Sequence, residues 1–569
     1  MAEYLSPGVY VEEFESGGKP MEGVGTSTAG FVGLAERGPV GGVPVLVTNF
    51  ADYKRKFGGY LSASEFGDYR FLAYCVEHFF LNGGSRAFIS RCVPADAKVA
   101  EGSIPEENPM IRFFAANPGQ WGDDINVILT PASKAKTQIL EKIDGAKYRV
   151  KKSVGFENGD VVVLEGPSVK KYNVVVKSLD NIIEFAEEFE EECVDTGLVP
   201  QTTISTCEFN LEVKYDDVDE FYGDVSFNIN SANYLLNKVA KSSLVRCEVV
   251  SVPEGDPFQA LSKDGSVASV ALKGGSNGSK AAVTPDVFMG TDNGPGKRTG
   301  IQAFLDNDTA SIMAVPGITD PSVQLTLVAH CENLASRFAV LDMPEDLSKT
   351  DEILTHRSMV DSTYAAMYHP WLTVFDPMDK RNINLPPSGS VVGIYARSDN
   401  SRGVHKAPAN EVVRGCVGLS VPFNKGEQDI LNPKGVNLIR SFPGQGIRVW
   451  GARTTSSDPS WKYVNVRRLF IYLEESIKAN TNWVVFEPND ERLWARVKRT
   501  IDGFLKTMWR SGALAGSTEA EAFFCNIDHS TMTQDDIDNG RLICVIGVAP
   551  VKPAEFVIFR ITQKTGEAG

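Results

Sequence analysis

The spacing of apolar positions changes period several times along the chain. "TSTAGFVGLAERGP" carries the continuous apolar run of a buried strand and closes in a Gly-Pro turn. "FGDYRFLAYCVEHFFLNGG" switches to the helical period, with Phe71, Tyr74, Cys75, His78 and Phe79 on one stripe and an Asn-Gly-Gly stop. "RAFISRCV" returns to a strand, and strand, helix, strand in that order predicts an α/β layer. Further on, "RTGIQAFLDNDTASIMAVPGI", "SVQLTLVAHCENLASRFAVLDMP" and "STYAAMYHPWLTVFDP" each suggest a helix running into a buried strand, so the layer resumes.

Between these parts the texture differs. Short strand-like runs such as "DVVVLEG" and "KYNVVVKSL" dominate, with one predicted acidic helix, "NIIEFAEEFEEECV", whose Ile182, Phe185 and Phe189 form a stripe. A small-residue stretch, "LKGGSNGSKAAVTPD", reads as the linker that closes this region. The C-terminal third is predicted to hold strands in "NLIRSFPGQGIRVWGART", helices in "VNVRRLFIYLEESIKAN" and "DERLWARVKRTIDGFLKTMWRSGAL", and strands at 541–548 and 555–562. The expected divisions are an N-terminal arm at 1–22, an α/β domain at 23–125, an inserted mostly-β outer domain at 126–286, the α/β domain again at 287–431, a C-terminal domain at 432–550, and a C-terminal arm at 551–569.

The two ends raise a question of their own. Residues 8–14, "GVYVEEF", alternate as one short strand would, set off by the Gly-rich "ESGGKPMEGVG". At the other end, Phe556, Ile558, Arg560 and Thr562 would face one side of a strand, and Val557, Phe559 and Ile561 the other. Apolar edges of this kind invite pairing with another chain.

Composition narrows the functional classes. The 569 residues exceed one hydrophobic core, so about three or four domains are expected. A net charge of −16 argues against nucleic acid as the main partner. No run of about 18 apolar residues predicts a membrane span, and the start lacks a signal-peptide pattern. Nine cysteines, none in a CxxC pair, suggest reduced thiols and synthesis in a cytoplasm.

One basic stripe stands out against this acidic average. At 100° per residue, Arg492, Arg496, Arg499, Lys506 and Arg510 fall within a sector of roughly 80°, opposite Leu493, Trp494, Val497, Ile501, Phe504, Leu505 and Met508. Either this is a solvated surface face, or the helix docks by its apolar side and presents cations to an acidic partner. Catalytic motifs are weak. "GGSNG" formally matches a nucleophile elbow at Ser276 but lacks strand–turn–helix context. "GTDNGPGKRTG" misses the phosphate-loop spacing, with Arg298 where Ser or Thr belongs. The six histidines are isolated, and Asp535 and Asp536 lie in a turn. No enzyme activity, metal or other cofactor is expected; a hydrolase using Ser276 and a static β-rich shell or adhesin remain the alternatives.

Taken in order, "SPGVYVEEF", "TSTAGFVGLAERGP", "NPGQWGDDI", "LPPSGSVVGIYARSDNSRGVHKAPAN", "FPGQGIRVWGARTTSSDPSWKYVNVRRL", "TNWVVFEPND", "EAFFCNID" and "IGVAPVKPAEFVIFRI" resemble the contractile tail sheath family of phage tails, R-type bacteriocins and extracellular contractile injection systems. Residues from about 130 to 285 match poorly, as a variable outer domain would. As a single chain, it also differs from the two-polypeptide sheaths of type VI secretion. The resemblance implies a helical homopolymer of stacked rings around an acidic inner tube, with baseplate and terminator or cap proteins as further partners. Neither nucleic-acid binding nor membrane insertion is implied. It also implies that both arms add strands to a neighbour's C-terminal domain, through Val9, Tyr10, Val11 and Phe14 at one end and Phe556, Val557, Ile558, Phe559 and Ile561 at the other. "ESGGKPMEGVG" and "APVKPA" would then be tethers, and the basic stripe the tube contact. Such a protein would be made in a cytoplasm and end in a virion or an injection particle.

Overall fold

Apolar runs that are buried on both faces build one large sheet at the centre of the molecule. The computed structural model describes residues 21–166, 170–189, 202–252, 257–262 and 266–558. In chain order the strands of this sheet are β1 (Ala29–Leu34), β2 (Val45–Val47), β3 (Ala87–Cys92), β4 (Ile312–Ala314), β5 (Phe338–Asp342), β6 (Ala365–His369), β7 (Glu411–Val412), β8 (Val436–Phe442) and β9 (Gly446–Val449). Their spatial order is β2-β3-β1-β4-β5-β6-β8-β9-β7. The run from β3 to β8 is parallel, and antiparallel strands close both ends. Every residue of β1, β4, β5 and β6 is buried, as a parallel sheet covered on both faces requires.

Helices cover the two faces. Phe31 and Ile89 point to one side, where α1 (Leu72–Leu81) and α3 (Ser388–Arg402) pack; Val32 and Met313 point to the other, under α2 (Pro321–Leu334). The helices α1 and α3 approach closely because Gly389 and Gly393 have no side chain. A Cβ on either would stand 2.4 or 2.5 Å from the carbonyl oxygen of Cys75 or Phe79.

After β3 the chain leaves this sheet and returns at β4, and the strands between form three other sheets, one of them a closed barrel. Here the expected acidic helix is wrong. Ile182–Phe185 is a strand of the barrel, paired antiparallel with Lys170–Leu179 and Lys147–Val150. Asp180 and Asn181 both take positive φ (51° and 60°), the two-residue hairpin geometry that reverses the chain. Ile183 and Phe185 then point into the barrel, so the period is two, not 3.6. The remainder of that segment, 190–201, lies outside the described residues.

Three further expectations change. The "linker" at 273–279 is pinned: Ser276 and Lys98 exchange backbone hydrogen bonds of 3.0 Å, and Asp123 Oδ1 accepts from the Gly275 amide at 2.7 Å. "STYAAMYHPWLTVFDP" holds no helix but two strands, β6 and Leu372–Asp376, because a short, fully apolar run does not distinguish a helix from a buried strand. The boundary placed at 431/432 is also displaced, since β8 pairs in parallel with β6 and so belongs to the large sheet.

The C-terminal unit follows β9. It comprises α4 (Val464–Thr481), α5 (Glu491–Arg510) and the antiparallel pair β10 (Phe523–Asn526) and β11 (Val545–Val548). Leu469 and Leu473 of α4 pack with Leu493, Trp494, Val497, Ile501, Phe504 and Leu505 of α5, and with Phe523 and Cys525. Cys525 and Cys544 place their Sγ atoms 3.5 Å apart.

One buried ion pair joins this unit to the α/β layer. Arg468 of α4 donates to both carboxylate oxygens of Asp399 in α3, at 2.8 and 2.5 Å, and to the carbonyl of Thr26 at 2.9 Å. The Thr26 hydroxyl also donates to Asp399, at 2.7 Å. Both side chains are buried, so removing one partner strands the other charge away from water. Arg468→Met is expected to destabilise the subunit by about 3–5 kcal/mol in urea unfolding. A loss below about 1 kcal/mol would show that water reaches this junction.

Candidate assembly surfaces

Chemistry-bearing motifs first. Ser276 lies in the pinned 273–279 stretch, where its hydroxyl accepts from the Gly278 amide at 3.1 Å, and the nearest following helix is the short 3₁₀ turn Lys280–Ala282. The strand–turn–helix an elbow needs is not formed there. In the phosphate-loop-like stretch, Arg298 binds Asp292 at 2.7 Å and also Asp306, and Asp306 accepts from the Gly296 amide. Arg298 and the Gly296 amide are thus already taken by carboxylates. His78 contacts the Ser390 hydroxyl at 3.2 Å, and burial holds it to a pKa of about 4. Burial, with Arg337 beside it, does the same to His330. Asp536 caps its turn through Thr533 and binds Arg541, which also reaches Asp535 at 3.1 Å. Among the described residues no group of three or more His, Cys, Asp or Glu could hold a metal, and no helix is long and apolar enough to cross a membrane.

The α5 helix carries the basic stripe. Asp490 caps it, accepting from the Leu493 amide at 2.8 Å, and the apolar side is buried on the C-terminal core. Arg492, Arg496, Arg499 and Arg510 are exposed and Lys506 is half-buried, all on the opposite side. The stripe is less free than its sequence suggests. Glu487 stands 3.8 Å from Arg496, and Glu519 pairs with Lys506 at 2.8 Å, both reaching in from outside the helix. Arg492, Arg499 and Arg510 make no ion pair among the described residues.

Beside α5, β10 and β11 form a sheet of only two strands, in register from Phe523↔Val548 to Asn526↔Val545. Phe523 and Cys525 face the core, while Phe524 and Val545 are about half exposed. The expected strand at 541–548 shortens to Val545–Val548, because Arg541 turns toward Asp535 and Asp536.

Near both of its ends the described chain contacts this unit, through Met21 and through Val551. Val9, Tyr10, Val11 and Phe14 lie outside the described residues, as do Phe559 and Ile561. From Met21 the chain runs along α4: the Glu22 amide donates to Asn480 at 3.3 Å and the Val24 amide to Ser476 at 3.1 Å. "ESGGKPMEGVG" is therefore not free over its whole length. At the other end, Phe556, Val557 and Ile558 are 73, 69 and 80% exposed and join no strand among the described residues. An edge strand forms only against a partner.

"APVKPA" is likewise no loose tether. The Ala549 amide donates to Ala522 at 2.9 Å, and the Val551 amide to Ala513 at 3.3 Å. Glu555 then crosses to the α/β layer. Its carboxylate accepts from Arg453 Nε and Nη2 at 2.8 and 2.5 Å, from Asn432 Nδ2 at 2.9 Å and from the Tyr463 hydroxyl at 3.2 Å. Arg453 is itself fixed, its amide and carbonyl both bound at 2.7 Å to the side chain of buried Asn437 in β8. Burial opposes the Glu555 charge, but the bonds from Arg453 and Asn432 outweigh it and hold the carboxyl below its ordinary value. Sequence reasoning missed this clamp. Its only signal was an acidic residue opening an apolar strand.

With these surfaces in place, comparison with known proteins is informative. The phage tail sheath protein central domain matches residues 294–455, and the phage tail sheath C-terminal domain matches 456–564. The division between them falls between β9 and α4, where the large sheet ends. A putative prophage major tail sheath protein of Pseudomonas aeruginosa (strain UCBPP-PA14) is 25% identical over 300 residues, covering 50% of this chain and 75% of the relative. The tail sheath protein of Escherichia phage P2 is 23% identical over 326 residues, covering 54% and 80%. Two solved structures share the fold. The contracted PVC sheath complex of an extracellular contractile injection system aligns over 99% of both chains, with a TM-score of 0.53 and 20% identity. The contracted helical sheath of the anti-feeding prophage covers 98% of this chain and 99% of that chain, with a TM-score of 0.52 and 22% identity. On the matched domains and relatives, this chain belongs to the contractile tail sheath family.

Proposed function

We propose that this protein is the repeating subunit of a contractile sheath, polymerised around an inner tube, that shortens from a metastable extended state and drives the tube through a target envelope. The observation that carries this reading is the succession of two sheath domains over 294–564. Tail sheaths are structural proteins, so the work is done by assembly. On this reading, the sheets between β3 and β4 are an inserted outer domain, and baseplate and cap proteins bind the two ends of the polymer. The subunit is made in a cytoplasm and carried in a virion or an injection particle.

The joint between subunits is proposed to be strand exchange. The two-stranded β10–β11 sheet offers edges, and on this reading Val9, Tyr10, Val11 and Phe14 of one neighbour and Phe556, Val557, Ile558, Phe559 and Ile561 of another would add strands to it. Main-chain hydrogen bonds would then hold the lattice while subunits turn. Turning that buries a further ~400 Å² per subunit would release on the order of 10 kcal/mol before entropic offsets. The α5 stripe is the proposed contact with an acidic tube. Charges that face water are screened by salt, which suits a contact that must later let go.

Three tests follow from these parts. Subunits lacking residues 1–14, or everything beyond Pro553, should stay folded but fail to polymerise; normal sheaths in electron micrographs would refute strand exchange. Changing Arg492, Arg496 and Arg499 to glutamate should abolish assembly on the tube at unchanged thermal stability, whereas intact tube–sheath particles would make the stripe a solvated face. The clamp predicts a pH dependence. A carboxyl held below its unfolded value of 4.5 stabilises fully above that pH, and its contribution is lost as pH falls through the lower folded value. The protection factor of the Val551 amide, which bonds to Ala513, should therefore fall on acidification below 4.5, and Glu555→Gln should lower it at neutral pH too. Equal protection in wild type and Glu555→Gln at neutral pH would mean that the clamp does not hold the arm.

A further inference from the structure

The turn that leads from α4 into α5 combines two costly features at one residue. Phe486 is the most exposed large apolar side chain among the described residues, fully in solvent, with Val485 beside it at 63%. It also sits at φ 69°, the left-handed region that a bulky side chain rarely adopts. The other described non-glycine residues there are Asp, Asn, Ala and Lys, with no second aromatic. Backbone strain and an aromatic ring in water both work against folding, and strain of this kind is held where the surrounding structure has a use for it.

The tip is rigidly mounted. The Val485 amide donates to Asn482 at 3.3 Å, the Glu487 amide to Val484 at 3.2 Å and the Asp490 amide to Pro488 at 3.0 Å. Trp483 and Val484, just before it, pack on the C-terminal core. Asn489, just after it, accepts from the Trp494 indole at 2.7 Å and donates to the Arg541 carbonyl at 3.1 Å. The tip is also physically joined to the basic stripe. The Arg496 guanidinium stacks 3.8 Å from the Trp483 ring centroid and lies 3.8 Å from the Glu487 carboxylate. Stripe and tip are therefore one continuous surface.

We propose that Val485 and Phe486 form an apolar anchor that seats in a socket on the inner tube, beside carboxylates met by the cations of α5. This rests on the reading of α5 as tube-facing and adds what charges alone do not give. A buried aromatic at the centre of a polar contact supplies much of the binding energy and fixes its position. Unlike exposed ion pairs, it keeps its strength when salt screens the charges.

The test uses full-length subunits with Phe486→Asn, because asparagine tolerates the left-handed conformation. The melting temperature should not fall. Co-sedimentation with purified tubes should drop about tenfold or more, and most clearly at high salt, where wild type retains binding. Tube-free polymerisation should be unchanged. Phe486→Gly, which also accepts this φ, guards against an effect peculiar to asparagine. Normal tube binding by Phe486→Asn, alongside loss in the Arg492, Arg496 and Arg499 glutamate variant, would overturn the anchor alone. Normal binding by that glutamate variant would overturn the tube-facing reading and the anchor with it. Loss of tube-free polymers by Phe486→Asn would assign the tip to a contact between sheath subunits instead.

Discussion

The edge of a β-sheet is a row of N–H and C=O groups that must find partners, and a sheet of two short strands has little else to hold it. In this chain that unmet need falls on β10–β11, in the unit that the described chain contacts near both of its ends. The nine-stranded sheet exposes only short edges, the three residues of β2 and the two of β7. Its parallel strands are buried on both faces, and short antiparallel strands close its ends. Stability therefore resides in the α/β layer, while the C-terminal unit keeps capacity for further strands.

Coupling between these parts is polar and buried. Arg468 and Asp399 tie α4 to α3, and Glu555 and Arg453 tie the root of the C-terminal arm to β8. A pull on that arm thus reaches the large sheet directly as well as through the small C-terminal unit. The N-terminal arm likewise runs along α4 before Thr26 joins the Asp399 network. On the strand-exchange account, load passing between subunits would enter each body at these fixed points.

Local periodicity made much of this legible. The α5 helix was readable because twenty residues hold one apolar and one basic face, and β1 and β3 because continuous apolar runs end in turn residues. The barrel strand Ile182–Phe185 was misread because Ile182, Phe185 and Phe189 also satisfy a helical spacing, and the Asp180–Asn181 turn that decides the matter is only two residues long. Pairings across long separations carried no local signal. Glu555 and Arg453 are 102 residues apart, and Glu487 and Glu519 meet the stripe from segments outside α5. The strain at Phe486 is a property of the folded turn and is invisible in the letters "VVFEPN".

The central claim is that chain ends complete another molecule's sheet. A helical reconstruction of the assembled sheath, at a resolution that separates strands, tests it most directly. The account predicts a sheet in which β10 and β11 are flanked by strands from the termini of two other subunits, with each C-terminal arm departing just after Glu555. A polymer in which β10–β11 remains two-stranded and both termini fold back on their own subunit would contradict it.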